Sequence, residues 1–154
     1  MKMTTSATAT AGNVTLTAGH NATVVTLADA SSGQDVVVTA TAGVADVYEA
    51  RAQRDVQVTG LSVTGNAGTG GTLVAGRDVL VTATATNAKV LLADAGSLVW
   101  VKALSGIADV GTATAGTDVR IDGGTALLGS GGAGNDITLT AGGDAVLGTG
   151  VAGN

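Results

Sequence analysis

The phrase AGRDVLVTA, at residues 75–83, returns in altered spelling along the chain. With Asp78 as position zero, the equivalent residues are Asn13, Asp35, Asp55, Asp78, Leu98, Asp118 and Asp136. Their spacings are 22, 20, 23, 20, 20 and 18 residues, so seven units of about twenty cover nearly all of the 154. A period of this length marks a repeat architecture. One such unit cannot bury its own apolar face, but stacked neighbours can.

Within each unit the pattern alternates. One residue after zero stand Val14, Val36, Val56, Val79, Val99, Val119 and Ile137. Three after zero stand Leu16, Val38, Val58, Val81, Val101, Ile121 and Leu139. The column between them is mixed: Thr15, Val37, Gln57, Leu80, Trp100, Arg120 and Thr138. Period-two alternation with one uniformly aliphatic parity is the mark of a strand buried on one face, and β-branched side chains suit that surface. These fourteen aliphatic residues are the expected core. A second, shorter apolar patch follows in most units, as in TVVTLAD (23–29), GTLVAG (71–76), AKVLLADAG (88–96), TALLGSG (125–131) and DAVLGTG (144–150). Each unit therefore reads as strand, turn, strand, turn. The one helix-compatible stretch, VADVYEARAQR (44–54), is read as strand plus corner.

The expected fold is an all-β parallel β-solenoid of about seven coils over residues 9–154. Residues 1–8 are set apart as a disordered or added N-terminal segment. Strand spacing of ~4.8 Å gives a rod on the order of 34 Å long. The Gly column before zero (Gly12, Gly33, Gly76, Gly96, Gly116, Gly134) is expected at a corner needing unusual backbone angles. Asp35, Asp55, Asp78, Asp118 and Asp136 are expected at that corner, each folding its carboxylate onto nearby backbone N–H groups as in an Asx turn. Some of these carboxylates are expected to be offset by Arg54 and Arg77. Thr17, Thr39, Thr59, Thr82 and Thr140 would form an outward ladder that Lys102 and Asp122 interrupt.

Composition narrows the function classes. The chain has 25 Gly, no Pro, no Cys, no Phe, one Trp and one Tyr. Its core must be narrow and aliphatic, and no disulfide staples it. Net charge is -5 and no basic run exists, which argues against a nucleic-acid face. No apolar stretch reaches the roughly 18 residues of a membrane span. The opening MKMTTSATATAG lacks the apolar region of a secretory signal, leaving a cytoplasmic chain or a piece of a longer exported one.

The phrases AGNVTLTAG (11–19), AGRDVLVTA (75–83) and GNDITLTAGGD (134–144) resemble repeats of the filamentous haemagglutinin family. That family comprises large exported bacterial adhesins and related two-partner-secretion exoproteins. The resemblance implies a right-handed parallel β-helix, an extracellular or cell-surface shaft, and a host-surface or glycan receptor of unstated identity. The closing AGN matches AGN at 11–13. Two readings follow: a piece of a longer stalk, or a subunit whose ends stack on other copies into a filament.

Chemical motifs are weaker than their structural readings. GGAGND (131–136) begins like a calcium-binding nonapeptide, but Thr138 stands where an apolar residue belongs and the motif does not recur. GSGGAG (129–134) has nucleotide-loop spacing, yet a strand follows it where a helix is needed. His20, the single histidine, is read as an exposed turn residue. The Asp column recurs in coil after coil, which is a repeat property and not a catalytic cluster. Asn13 and Asn21 open sequons of a kind that a Thr-rich chain produces readily. Thr-x-Thr pairs raise ice binding, but their registers differ between coils. Outward Trp100, near Lys102 and Arg120, raises a sugar contact. The reading is a structural protein with no catalytic residues, metal or cofactor; ice or carbohydrate binding is the alternative.

Overall fold

The computed structural model describes residues 2–3, 7–30, 34–65 and 68–153. The chain opens with β1 (Lys2–Met3) and β2 (Ala7–Thr8). Coil one holds β3 (Val14–Ala18), β4 (Ala22–Val24) and β5 (Ala28–Ala30); coil two holds β6 (Val36–Ala40), β7 (Val44–Val47) and β8 (Glu49–Ala52). Coil three holds β9 (Asp55–Gly60), β10 (Ser62–Thr64) and β11 (Gly71–Ala75). From coil four each turn has two strands: β12 (Asp78–Ala83) and β13 (Ala88–Ala95), then β14 (Leu98–Ala103) and β15 (Ile107–Ala115). Coils six and seven are β16 (Asp118–Gly123) with β17 (Thr125–Ala133), and β18 (Ile137–Ala141) with β19 (Ala145–Ala152).

All pairings are parallel, and each strand lies beside its counterpart in the next coil. The repeated phrase forms one seven-stranded sheet in the order β18-β16-β14-β12-β9-β6-β3. Its register is that of the sequence columns: Val14↔Val36↔Val56↔Val79↔Val99↔Val119↔Ile137. The protein is thus a parallel β-solenoid of seven coils. The stretch 44–54 is strand, corner, strand, with the exposed Tyr48 between β7 and β8. Lys2–Met3 and Ala7–Thr8, in the segment set apart by sequence, pair with β4 and β5.

The second sheet changes shape along the rod. In coils one to three it is split into two short faces. They fuse at β13, which pairs with β10 through Ala88↔Val63 and with β11 through Ala93↔Leu73. Opposite β11 the fused strand carries one extra residue, Leu91, between the partners of Gly71 and Thr72, and Gly111, Gly129 and Gly148 hold the same place in the next three coils. A Cβ on Gly111 would stand 2.6 Å from the Leu91 carbonyl oxygen, and one on Gly129 2.6 Å from that of Gly111. Gly65, Gly68 and Gly70 lie between β10 and β11. There Gly68 and Gly70 N–H groups both donate to the Gly65 carbonyl, and both glycines have positive φ.

Of the fourteen expected core residues, Val14 through Ile121 are buried. Ile137 and Leu139 are half-buried and pack against the core, because no further described coil lies over theirs. Opposite them run columns that the sequence reading did not enumerate. Ala30, Ala52, Ala75, Ala95, Ala115, Ala133 and Ala152 share one register position in all seven coils. Short side chains there leave room for the Val, Leu and Ile of the facing sheet. Burying a Val or Leu fully contributes about 1.5–3 kcal/mol, so these columns dominate stability.

The glycine column has a different cause from the one expected. Among its described members only Gly12 has positive φ, at 96°. Cβ atoms on Gly76, Gly96, Gly116 and Gly134 would stand 2.0–2.1 Å from the carbonyl oxygen of the residue below. Close approach of successive coils requires these glycines, not a left-handed backbone. Gly33 lies outside the described residues.

Candidate functional site

The corner at position zero concentrates most of the charged side chains that interact across coils. Asp35 and Asp55 are buried there, at 6% and 4% exposure. Arg54 lies between them: its Nε donates to Asp35 Oδ1 at 2.8 Å, its Nη2 pairs with Asp35 Oδ2, and its Nε lies 3.7 Å from Asp55 Oδ2. Arg77 repeats this one coil up, with Nε 2.8 Å from Asp55 Oδ1, Nη2 paired with Asp55 Oδ2, and Nε 3.3 Å from Asp78 Oδ2. Acid and base therefore alternate as Asp35, Arg54, Asp55, Arg77, Asp78. The Arg54 guanidinium holds the Asp35 carboxyl below its ordinary value, against an opposing push from burial, and the Asp55 N–H assists. Hydrogen bonding to these aspartates in turn raises both arginines.

Two of the corner carboxylates accept backbone N–H groups of the next coil and not of their own turn. Asp35 Oδ1 accepts the Asp55 N–H at 3.3 Å, and Asp78 Oδ1 accepts the Leu98 N–H at 3.2 Å. Asn13 Oδ1 accepts the Asp35 N–H at 3.1 Å. The second corner obeys the same rule, with Asn21 Oδ1 taking the Val44 N–H and Asn87 Oδ1 taking the Ile107 N–H, each at 2.9 Å. Sequence reasoning gave these two asparagines no corner role, because only two coils carry them. Asp118 instead pairs within its own strand to Arg120, at 2.9 Å. Asp136 is exposed. Above Arg77 the ladder turns neutral, with Thr117 Oγ1 donating to the Ser97 carbonyl at 2.9 Å.

The outward face of the seven-stranded sheet carries two features. Thr17, Thr39, Thr59 and Thr82 stand in register on successive coils. Lys102 and Asp122 then break the row, so the hydroxyls form no continuous array. Trp100 lies half-buried, its Nε1–H donating to Asp122 Oδ2 at 2.7 Å, with the Lys102 ammonium 5.7 Å from the ring centroid. The hollow beside it, lined by Leu80, Val81, Thr82, Trp100 and Lys102, has a volume of about 130 Å³.

The remaining motifs fall into structural places. GSGGAG lies at the end of β17 and leads to a corner and β18. His20 is exposed in the turn before β4. Among the described residues no group of three or more His, Cys, Asp or Glu could hold a metal ion. Comparison with known protein families, curated proteins and solved structures found no match.

Proposed function

We propose that this chain is a structural shaft, a β-solenoid segment of a bacterial surface or secreted adhesin, working by length and stiffness and not by catalysis. The observation that carries the reading is the use of the corner charges. Asp35, Arg54, Asp55, Arg77 and Asp78 are engaged with one another and with backbone N–H groups of the next coil. Groups that another fold would turn toward a substrate are spent here on joining coil to coil. The haemagglutinin-like phrases support the extracellular setting and the adhesin context. The net charge of -5 disfavours nucleic acid, and the shaft reading needs no metal or cofactor.

Three measurements on one sample test this. Solution scattering is expected to give a short rod, with coils at ~4.8 Å spacing. Thermal-hysteresis and glycan-panel assays are expected to be blank. Saturable glycan binding that disappears in Trp100→Ala would overturn the shaft reading in favour of a carbohydrate-binding module, since exposed aromatics are frequent binding anchors.

A further inference from the structure

The outward face of the seven-stranded sheet is regular and lightly charged. Its pairings run without a register shift, so the outward residues fall into two straight columns, two and four residues past zero. In coils one to four these columns hold uncharged pairs: Thr15 with Thr17, Val37 with Thr39, Gln57 with Thr59, and Leu80 with Thr82. Charge enters in coils five and six, where Trp100 stands with Lys102 and Arg120 with Asp122. We infer that this face joins two parallel copies of the chain side by side, about a twofold axis along the rod. This rests on the shaft reading and extends it to how shafts pair.

Rotation about that axis keeps every coil at its own level and exchanges the two columns. Each residue two past zero then opposes the residue four past zero in the second copy. The face is complementary to itself under this operation, as an isologous contact requires. Trp100 opposes Lys102 of the second copy, Arg120 opposes its Asp122, and the twofold repeats both. Cation meets aromatic ring and base meets acid, with no like charges opposed. In the other coils Val37, Gln57 and Leu80 oppose threonines. Reversing one copy also opposes Lys102 to Asp122, but shafts that leave one surface run in the same direction.

The charges on this face are open to a partner. Lys102 and Asp122 are neighbours in register, yet among the described residues neither has an ion-pair partner. Asp122 Oδ2 is turned to the Trp100 Nε1–H at 2.7 Å, and a carboxylate keeps further acceptor sites. The Lys102 ammonium stands 5.7 Å from its own ring. Passing to the ring of the second copy strengthens that attraction, because the interface excludes water. The corner differs, since Asp35 and Asp55 are buried and already held by Arg54 and Arg77.

Area sets the strength. Seven strands of five or six residues, at ~4.8 Å between strands and ~3.3 Å per residue, give a footprint on the order of 550 Å² per copy and about 1,100 Å² in total. That is the low end for a specific interface, so a weak, reversible pair is expected.

Sedimentation equilibrium of the full chain is expected to show a monomer–dimer equilibrium that weakens as salt is raised. Arg120→Asp sets like charges against each other and is expected to weaken the dimer about ten-fold. Asp122→Arg does the same from the other side. The two together oppose unlike charges again, so the double variant is expected to dimerise more tightly than either single. Single-cysteine chains read place and direction, since the parent has no cysteine. With facing sheets ~10 Å apart, two Thr39→Cys residues at one level lie about 12 Å from each other, and a bismaleimide of that span is expected to join them. In reversed copies they stand many coils apart. Thr112→Cys, exposed on the second sheet, is expected to stay unjoined. A parent that sediments as monomer up to millimolar concentration overturns the proposal. So does a dimer indifferent to Arg120→Asp, a double variant no tighter than the singles, or a Thr112→Cys product as abundant as that of Thr39→Cys. A dimer whose Thr39→Cys residues are never joined overturns it in favour of reversed copies or another face. A monomeric rod with blank ligand assays leaves the shaft reading standing; glycan binding by a dimerising chain does the reverse.

Discussion

A Cβ on Gly96 would stand 2.1 Å from the carbonyl oxygen of Gly76, the residue beneath it in the stack. The obstacle is backbone, which cannot swing aside as a side-chain tip can. Gly96→Ala must push adjacent coils apart or twist the corner, at a cost of about 3 kcal/mol or more, the upper range of overpacking. Gly142 has nothing within 4 Å of its would-be Cβ. Gly142→Ala is expected to leave stability within about 0.5 kcal/mol of the parent. Urea unfolding of the two variants side by side checks both.

Parity in the repeated phrase gives a second contrast. Val81 is 1% exposed, and its neighbours in register are Val58 and Val101. Val81→Asp places a charge where no partner is within the dry column, at a cost of several kcal/mol. Gln57, on the opposite parity, is half-exposed. Gln57→Lys is expected to change the midpoint of thermal unfolding little. A Val81→Asp chain that melts like the parent would show that the inward assignment is wrong.

Acid should loosen the early coils through Asp35. Its folded-state pKa lies below the ordinary value of 3.8, chiefly because Arg54 donates to it. A depressed carboxyl contributes stability above its unfolded pKa and loses it as pH falls through the folded pKa. Asp35→Asn is therefore expected to be less stable than the parent at neutral pH, with the difference shrinking below about pH 4. Unfolding free energies measured for both chains from pH 7 to pH 2 test this, and a gap independent of pH would assign the loss to shape alone.

What the sequence made legible was whatever repeats in every unit. The Val14 and Leu16 columns, the buried parity and the stacking followed from spacing alone, since a period of two inside a period of twenty has few solutions. Gly96 and its column were visible, but their cause was not. Sequence shows where a side chain is missing and not whether torsion or a neighbouring carbonyl forbids it. The pairing of corner aspartates with Arg54 and Arg77 was legible, but their backbone bonds were not, because a residue such as Asp35 reaches a donor twenty positions away that is adjacent only once the coil closes. The fusion of two short faces at β13 left no local signal. It depends on where Leu91 and Gly111 fall relative to the coils on either side.

The least legible feature is an exchange of volume inside the second sheet. Val110 and Ala113 occupy two inward columns in coil five, and one coil on the same columns hold Leu128 and Gly131. A Cβ on Gly131 would lie 2.9 Å from Leu128 Cδ2 and 3.1 Å from Ile137 Cδ1. The larger Leu thus needs the missing methyl, and Leu147 with Gly150 repeats the trade at 2.9 Å. Gly131→Ala alone is expected to destabilise by about 1–3 kcal/mol through overpacking. Leu128→Val alone opens a small cavity, at about 1 kcal/mol. Together they restore the pair found one coil below, so the double variant should be more stable than the sum of the singles allows, by a coupling of about 1 kcal/mol. A double-mutant cycle in urea measures that coupling directly. Strict additivity would mean that Ile137, and not Leu128, sets the space at Gly131, and Gly131→Ala with Ile137→Val would then be the pair that recovers stability.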